Sequence, residues 1–155
     1  MFGWILLALF IAWLAVILFR AARFTPYPVE KVAAEPLNVD ENKALSHFQD
    51  MIRLKTVSYT NESLEEAQAF ADFQQLLSRL YPHLTETCRR EILGRRGMLY
   101  HWKGKSDQQP SVLMAHYDVV PVAEAEWQEP PFAGVVKDGQ LWGRGTLDTK
   151  GTLHG

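Results

Sequence analysis

Cysteine is almost absent from this chain. Its 155 residues include one, Cys88, so no internal disulfide can form. That excludes a disulfide-stapled secreted mini-fold and any Cys-rich zinc site. An excess of charge of either sign is missing as well. Sixteen Lys and Arg against eighteen Asp and Glu leave a formal charge of −2, which argues against binding nucleic acid by neutralising its phosphates. No internal repeat is visible, and no Gly-x-x-x-x-Gly-Lys-Ser/Thr string is present, so a phosphate loop is excluded. What remains is ordinary: 47% hydrophobic and 22% charged residues belong to a chain that folds rather than to a disordered one. The length allows one domain of about 100–150 residues, but the apolar residues are unevenly spread.

From Phe2 to Phe19 the chain carries no charge and no proline. Eighteen residues at about 1.5 Å each make a helix of about 27 Å, close to a bilayer core of about 30 Å. Trp4 lies near one end, where an indole can sit at headgroup level, and Arg20 and Arg23 close the run. Residues 1–24 are therefore expected to be a single-pass transmembrane anchor that meets the bilayer through residues 2–19. A buried core helix would be expected to show a polar face. A cleaved signal peptide would carry Lys or Arg before the run and a small-x-small site after it, and FRAARF offers no clear one. The positive-inside rule puts Arg20 and Arg23 on the cytoplasmic side, but two residues leave sidedness open. Thr25 to Pro36 holds three prolines and reads as an extended tether, giving a linker over 25–39.

The remaining residues, 40–155, alternate helical and strand signals. Asp40 is placed to cap a helix running to about Leu54, with Leu45, Phe48 and Ile52 on its apolar face. Ser63-Leu-Glu-Glu66 reads as a capping box for a second helix whose stripe is Phe70, Phe73, Leu76, Leu77 and Leu80, ending before Pro82. Cys88–Leu93 and Met98–Lys103 form a hairpin around Gly94-Arg-Arg-Gly97, with the Arg pair read as a solvated turn. Cys88 reads as a small strand residue, and His47, His83 and His101 as surface or structural. Ser111–Ala115 is a short apolar run that suits a strand buried on both faces. A second hairpin, Val135–Lys137 and Gln140–Trp142, flanks Asp138-Gly139. Helices followed by buried strands indicate an α/β domain.

Chemistry concentrates after the buried run. His116 and Asp118 follow it directly, at the strand end where ligands bind in open α/β sheets. Residues two apart on an extended chain point the same way. An imidazole there can bind a metal through one nitrogen while the neighbouring carboxylate orients the ring. An isolated His-x-Asp is more often a surface pair. Asp148 adds weight, because it lies in a glycine-rich segment, Gly143-Arg-Gly145 before it and Gly151 after it, that can approach a ligand closely. A carboxylate there can bridge two cations, although an Asp closing a turn gives the same pattern.

The combined string is more specific than its parts. SVLMAHYDVVPV, followed from Trp127 by WQEPPFAGVVKDGQLWGRGTLDTKG, resembles the N-terminal part of the catalytic domain of M20-family metallopeptidases. It is most similar to the branch holding carboxypeptidase S and the N-fatty-acyl-amino-acid synthase/hydrolases. The resemblance implies a zinc-exopeptidase-like α/β/α catalytic domain with two Zn²⁺ ions. His116 would ligate one zinc and Asp148 would bridge it to a second. Asp118, the catalytic-site residue of this set, would hold the His116 ring without touching metal. A cis peptide would follow at Asp148–Thr149. The implied reaction is hydrolysis of a peptide or N-acyl amino-acid amide bond next to a free carboxylate.

Members of that family carry a Glu-Glu pair and further ligands later in the chain, so this sequence is expected to be a front piece that alone binds zinc poorly and hydrolyses nothing. Glu124, Glu126 and Glu129 precede Asp148 in a loop and are not expected to replace the pair, nor is His154 expected to act as a ligand. Two other readings are an amino-acid deacylase of the same superfamily and a non-catalytic membrane-tethered module.

Overall fold

The structure, a computed structural model, describes residues 2–26, 38–106, 108 and 110–155. They fall into two units, divided between residues 37 and 38. The expected tether lies mostly outside the described residues.

The first unit is helix α1, Phe2–Ala22. Leu, Ala, Ile and Phe dominate it, and no proline interrupts its hydrogen bonds. Its 21 residues at about 1.5 Å each reach about 32 Å, and none of its side chains is buried. It is long and apolar enough to cross a membrane.

The second unit begins with α2, Glu41–Arg53. As expected, the Asp40 carboxylate accepts the Lys43 main-chain N–H at 3.0 Å and caps the helix. Its inward face is Met51 and Ile52, both fully buried, with Phe48 packed beside them; Leu45 turns outward, contrary to the expected stripe. The second predicted helix starts later than expected. Asn61 caps a short 3-10 turn, Glu62–Leu64, and α3 runs Ala67–Leu80 with no side-chain cap. The Ser63–Glu66 capping box does not form, because the Asn61 carboxamide takes the Ser63 N–H at 3.1 Å. An Asn side chain closing its own turn competes directly with helix initiation. The stripe itself is as expected: Phe70, Phe73, Leu76 and Leu77 are buried, and Leu80 packs at the margin. A further helix, α4 (Pro82–Thr87), follows immediately, with proline in its first turn, where a missing N–H costs nothing.

Strands β1 (Arg89–Leu93) and β2 (Gly97–His101) pair antiparallel, Leu93 opposite Gly97. Cys88 is the buried C-cap of α4 and not a strand residue. The Arg pair in the turn is not simply solvated. Arg95 pairs with Glu62, whereas Arg96 pairs with the buried Glu65 carboxylate and lies 4.3 Å over the Phe70 ring, so it clamps the hairpin onto α3. Strands β3 (Val135–Lys137) and β4 (Gln140–Trp142) form the second expected hairpin. Asp138 and Gly139 both have positive φ (52° and 74°), the requirement of a two-residue turn that matches strand twist. The last helix, α5, is Lys150–His154.

Tyr117 joins these pieces. It stacks on Phe73 at 4.8 Å, meets Phe70 edge-on, and donates its hydroxyl to the Arg96 carbonyl at 2.7 Å. The adjoining run departs from expectation. Ser111–Ala115 forms no strand, and Val112, Leu113 and Met114 are 74%, 97% and 86% exposed. A strand buried on both faces needs neighbours on both edges. Among the described residues the parallel pairing is the single bridge of Val57 with Val119, past the end of the run. The unit therefore mixes helices with strands, and its two sheets are antiparallel hairpins.

Candidate metal-binding site

Alternation along the extended chain builds the site. Tyr117 turns into the core, so His116 and Asp118 on either side of it turn outward together. A parallel neighbour fixes this register. The Val119 N–H donates to the Thr56 carbonyl and the Ser58 N–H to the Val119 carbonyl, each at 2.9 Å, while the Thr56 hydroxyl donates to the Tyr117 carbonyl at 2.5 Å.

The turn after β4 brings in the third residue. His116 Nε2 lies 3.1 Å from Asp148 Oδ1. The Thr149 hydroxyl locks the two segments together: it donates to the His116 carbonyl at 2.7 Å and accepts the His116 N–H at 3.1 Å. The Asp148–Thr149 peptide is cis. Gly145, with φ of 95°, and Gly151 serve this turn through close packing. A Cβ on Gly145 would strike Val119, and one on Gly151 would strike the Thr146 carbonyl oxygen. These glycines make room for the protein's own backbone.

Lys150 anchors the turn from behind. Fully buried, it donates through Nζ to the Met51 carbonyl at 2.9 Å and to the Leu54 carbonyl at 2.7 Å, which also accepts the Thr56 N–H at 2.9 Å, so it ties down the end of α2. Burial lowers its pKa to about 7, against the raising effect of the Asp118 charge. Thr56, Ser58 and Lys150 were not singled out from sequence, and Thr149 was named only for the expected cis peptide. Thr149 and Lys150 lie within the quoted GRGTLDTKG string, whereas nothing local marks Thr56 and Ser58.

The imidazole's environment fixes its protonation. Nδ1 faces two oxygens, the Asp118 carbonyl at 3.0 Å and Asp118 Oδ1 at 3.1 Å, so Nδ1 must carry a proton. Desolvation lowers the His116 pKa, but hydrogen bonds to the Asp118 carbonyl and Asp148, and the charges of both carboxylates, outweigh it and leave the pKa raised. In a neutral ring Nε2 would present a lone pair to the Asp148 carboxylate at 3.1 Å. That contact is favourable only with a positive species between them or on the ring, either a proton or a metal ion. Two ligands of one tetrahedral zinc stand about 3.3 Å apart, given bonds of about 2.0–2.1 Å. The pair fits a shared cation. Among the described residues no group of three or more His, Cys, Asp or Glu side chains could hold a metal. Asp118 is turned to the ring and to Ser58.

Three of the other candidates are engaged elsewhere. Glu124 lies 3.8 Å from Lys55, Glu129 pairs with Lys137, and His154 Nδ1 meets the Tyr81 hydroxyl at 2.9 Å. A cavity of about 620 Å³ opens beside the pair, lined among others by Trp127, Trp142 and Arg144. Such a volume suits a small-molecule ligand. The Arg144 guanidinium lies 5.0 Å over the Trp127 ring.

The sequence model of peptidase family M20/M25/M40 matches residues 112–155, the stretch that carries all three site residues. The chain is 38% identical over 105 residues to an N-fatty-acyl-amino acid synthase/hydrolase of Bos taurus, covering 66% of this chain and 21% of that protein. It is 30% identical over 155 residues to probable carboxypeptidase S-like 2 of Dictyostelium discoideum, covering 94% of this chain and 30% of that one. An uncharacterized carboxypeptidase of Schizosaccharomyces pombe is 33% identical over 120 residues, covering 72% and 20%. The chain thus spans between a fifth and a third of the length of these relatives. With the matched segment holding the site and relatives of one kind aligned over most of its residues, the chain belongs to the M20/M25/M40 peptidase family, a family of hydrolases.

Proposed function

We propose that residues 40–155 are part of the catalytic domain, of zinc-exopeptidase-like α/β/α type, of an M20 hydrolase that cleaves peptide or N-acyl amino-acid amide bonds next to a free carboxylate. His116 and Asp148 are its zinc-holding residues and Asp118 orients the imidazole. The observation that carries this reading is the 3.1 Å approach of Nε2 and Oδ1, with Nδ1 committed to Asp118.

Bound zinc would supply a polarised amide carbonyl and a water acidified towards neutrality. The chain's own residues then have defined tasks. Asp118 accepts a hydrogen bond from Nδ1–H, which keeps Nε2 available as a donor atom and raises the ring's basicity. Thr149 fixes the His116 backbone against the Asp148 turn. Trp127 and Trp142 contribute apolar surface to the lining of the cavity. The names of the relatives point to N-fatty-acyl amino acids and peptides as the two substrate classes.

Two protein ligands fall short of the three plus water usual for catalytic zinc. The 155-residue chain alone should therefore bind zinc weakly and cleave nothing, while the complete enzyme should bind it stoichiometrically. Isothermal titration with Zn²⁺ on both, with and without His116→Ala, tests this. Tight binding by the isolated chain, or undiminished binding by the His116→Ala enzyme, would overturn the assignment.

Residues 1–24 act in this reading as an uncleaved anchor and 25–39 as its tether. The apolar length of α1 and the two arginines closing it support this. Carbonate extraction combined with N-terminal sequencing of the mature protein decides it. Retention in membranes with residues 2–19 intact is expected, and a mature chain beginning after them would show a leader instead.

A further inference from the structure

We propose that Ser58 is a positioning residue for the His116 imidazole, acting through the Asp118 carboxylate; its effect on metal binding rests on the zinc reading given above. Asp118 divides its two oxygens. Oδ1 faces His116 Nδ1 at 3.1 Å, and Oδ2 accepts the Ser58 hydroxyl at 2.7 Å. The carboxylate is partly exposed, its side chain 41% accessible, so packing alone does not hold it. Rotation about the last bond of an Asp side chain is broad and weakly restrained. The Ser58 hydroxyl supplies the missing restraint. Without it the carboxylate is free to turn away from the ring, or to swing towards a cation held by its neighbours and become a competing ligand.

The position of Ser58 is itself fixed by main-chain bonds. Its N–H donates to the Val119 carbonyl at 2.9 Å, while the Val119 N–H donates to the Thr56 carbonyl. Residues 56–58 therefore run beside 117–119 as a parallel neighbour, and Ser58 reaches the same carboxylate from the adjoining segment. These bonds do not involve the Ser58 side chain, so Ser58→Ala removes the hydroxyl and keeps the register. The chain of contacts reads Ser58, Asp118, His116, Asp148, and all three of its links run between side chains.

Replacing partners beyond the ligands of a metal site costs about 10- to 100-fold in affinity. Because the Asp118 carbonyl also holds Nδ1, the lower end applies here. Zinc dissociation constants measured by chelator competition on the complete enzyme should rise about 10-fold for Ser58→Ala and return to wild type for Ser58→Thr. In an Asp118→Ala background the same Ser58→Ala change should cost less than about 2-fold, the non-additivity of two residues on one path. Wild-type affinity in Ser58→Ala, or an equal loss with and without Asp118, would overturn the proposal.

The positioning link can be read without metal. In the metal-free protein, the ¹⁵N resonances of the His116 ring should shift in Ser58→Ala and recover in Ser58→Thr, while the thermal unfolding midpoint stays near wild type. Unmoved resonances would overturn the link itself. Shifted resonances in a protein that binds no zinc would leave the link standing and sink the zinc assignment.

Discussion

Helix α3 and the run Ser111–Ala115 are both rich in large apolar side chains, yet Phe73 is fully buried while Leu113 is 97% exposed. The difference lies in their neighbours. The α3 stripe closes against α2 and Tyr117. Among the described residues, Ser111–Ala115 makes no main-chain hydrogen bond to another main-chain group. A helix satisfies its own backbone and needs one apolar surface to cover its stripe. A central strand needs partners on two edges and two faces, and an apolar sequence cannot supply them by itself.

Four experiments on the 155-residue chain in mild detergent test this contrast. Phe73→Ala should have the largest effect, since it empties the centre of the core and unstacks Tyr117. A loss of about 3–5 kcal/mol is expected in urea unfolding; a loss below about 1 kcal/mol would mean that the α2–α3 core does not hold the unit together. Lys150→Met should cost about 1–3 kcal/mol, because the buried Met51 carbonyl loses its lysine donor while the Leu54 carbonyl keeps the Thr56 N–H.

A smaller, pH-dependent effect is expected at His154, which packs on Phe48 and contacts Tyr81. Burial lowers its pKa, a hydrogen bond that the ring donates to the Ala44 carbonyl opposes this, and His47 adds to the lowering. The native pKa thus lies below the unfolded value of about 6.5. Between those values the unfolded chain holds the extra proton, so His154 costs stability as pH falls through about 6.5 and no further once both states are protonated. Urea midpoints at pH 7.5 and 5.5 should therefore differ less in His154→Gln than in wild type. The smallest change should come from Leu113→Ser: stability within about 0.5 kcal/mol of wild type, with a higher soluble yield. A large destabilisation there would show that the run is packed after all.

Much of the fold was legible because its signals are local. The Asp40 cap, the α3 stripe and the Asp138-Gly139 turn each follow from a few adjacent residues. The start of α3 was misread because two capping chemistries overlap, and the Asn61 carboxamide reached the backbone first. Arg96 was read as solvated because its partners, Glu65 and Phe70, are remote in sequence. His116, Asp118 and Asp148 were marked as candidates by the string that resembles the family, and their three side chains lie within hydrogen-bonding distance along one line. Ser58 and Thr56 escaped notice because only the Val57–Val119 bridge carries them there, about sixty residues away along the chain.

Tyr117 stands between two residues of the site while its own ring is a keystone of the hydrophobic interior. Structural integrity and chemistry therefore ride on the odd and even positions of one short ribbon. Substitutions at either set can be tuned separately, but a single-residue insertion or deletion between Ala115 and Val119 would push an imidazole and a carboxylate inward and expel an aromatic ring. This stretch should be far less forgiving of changes in length than of changes in identity.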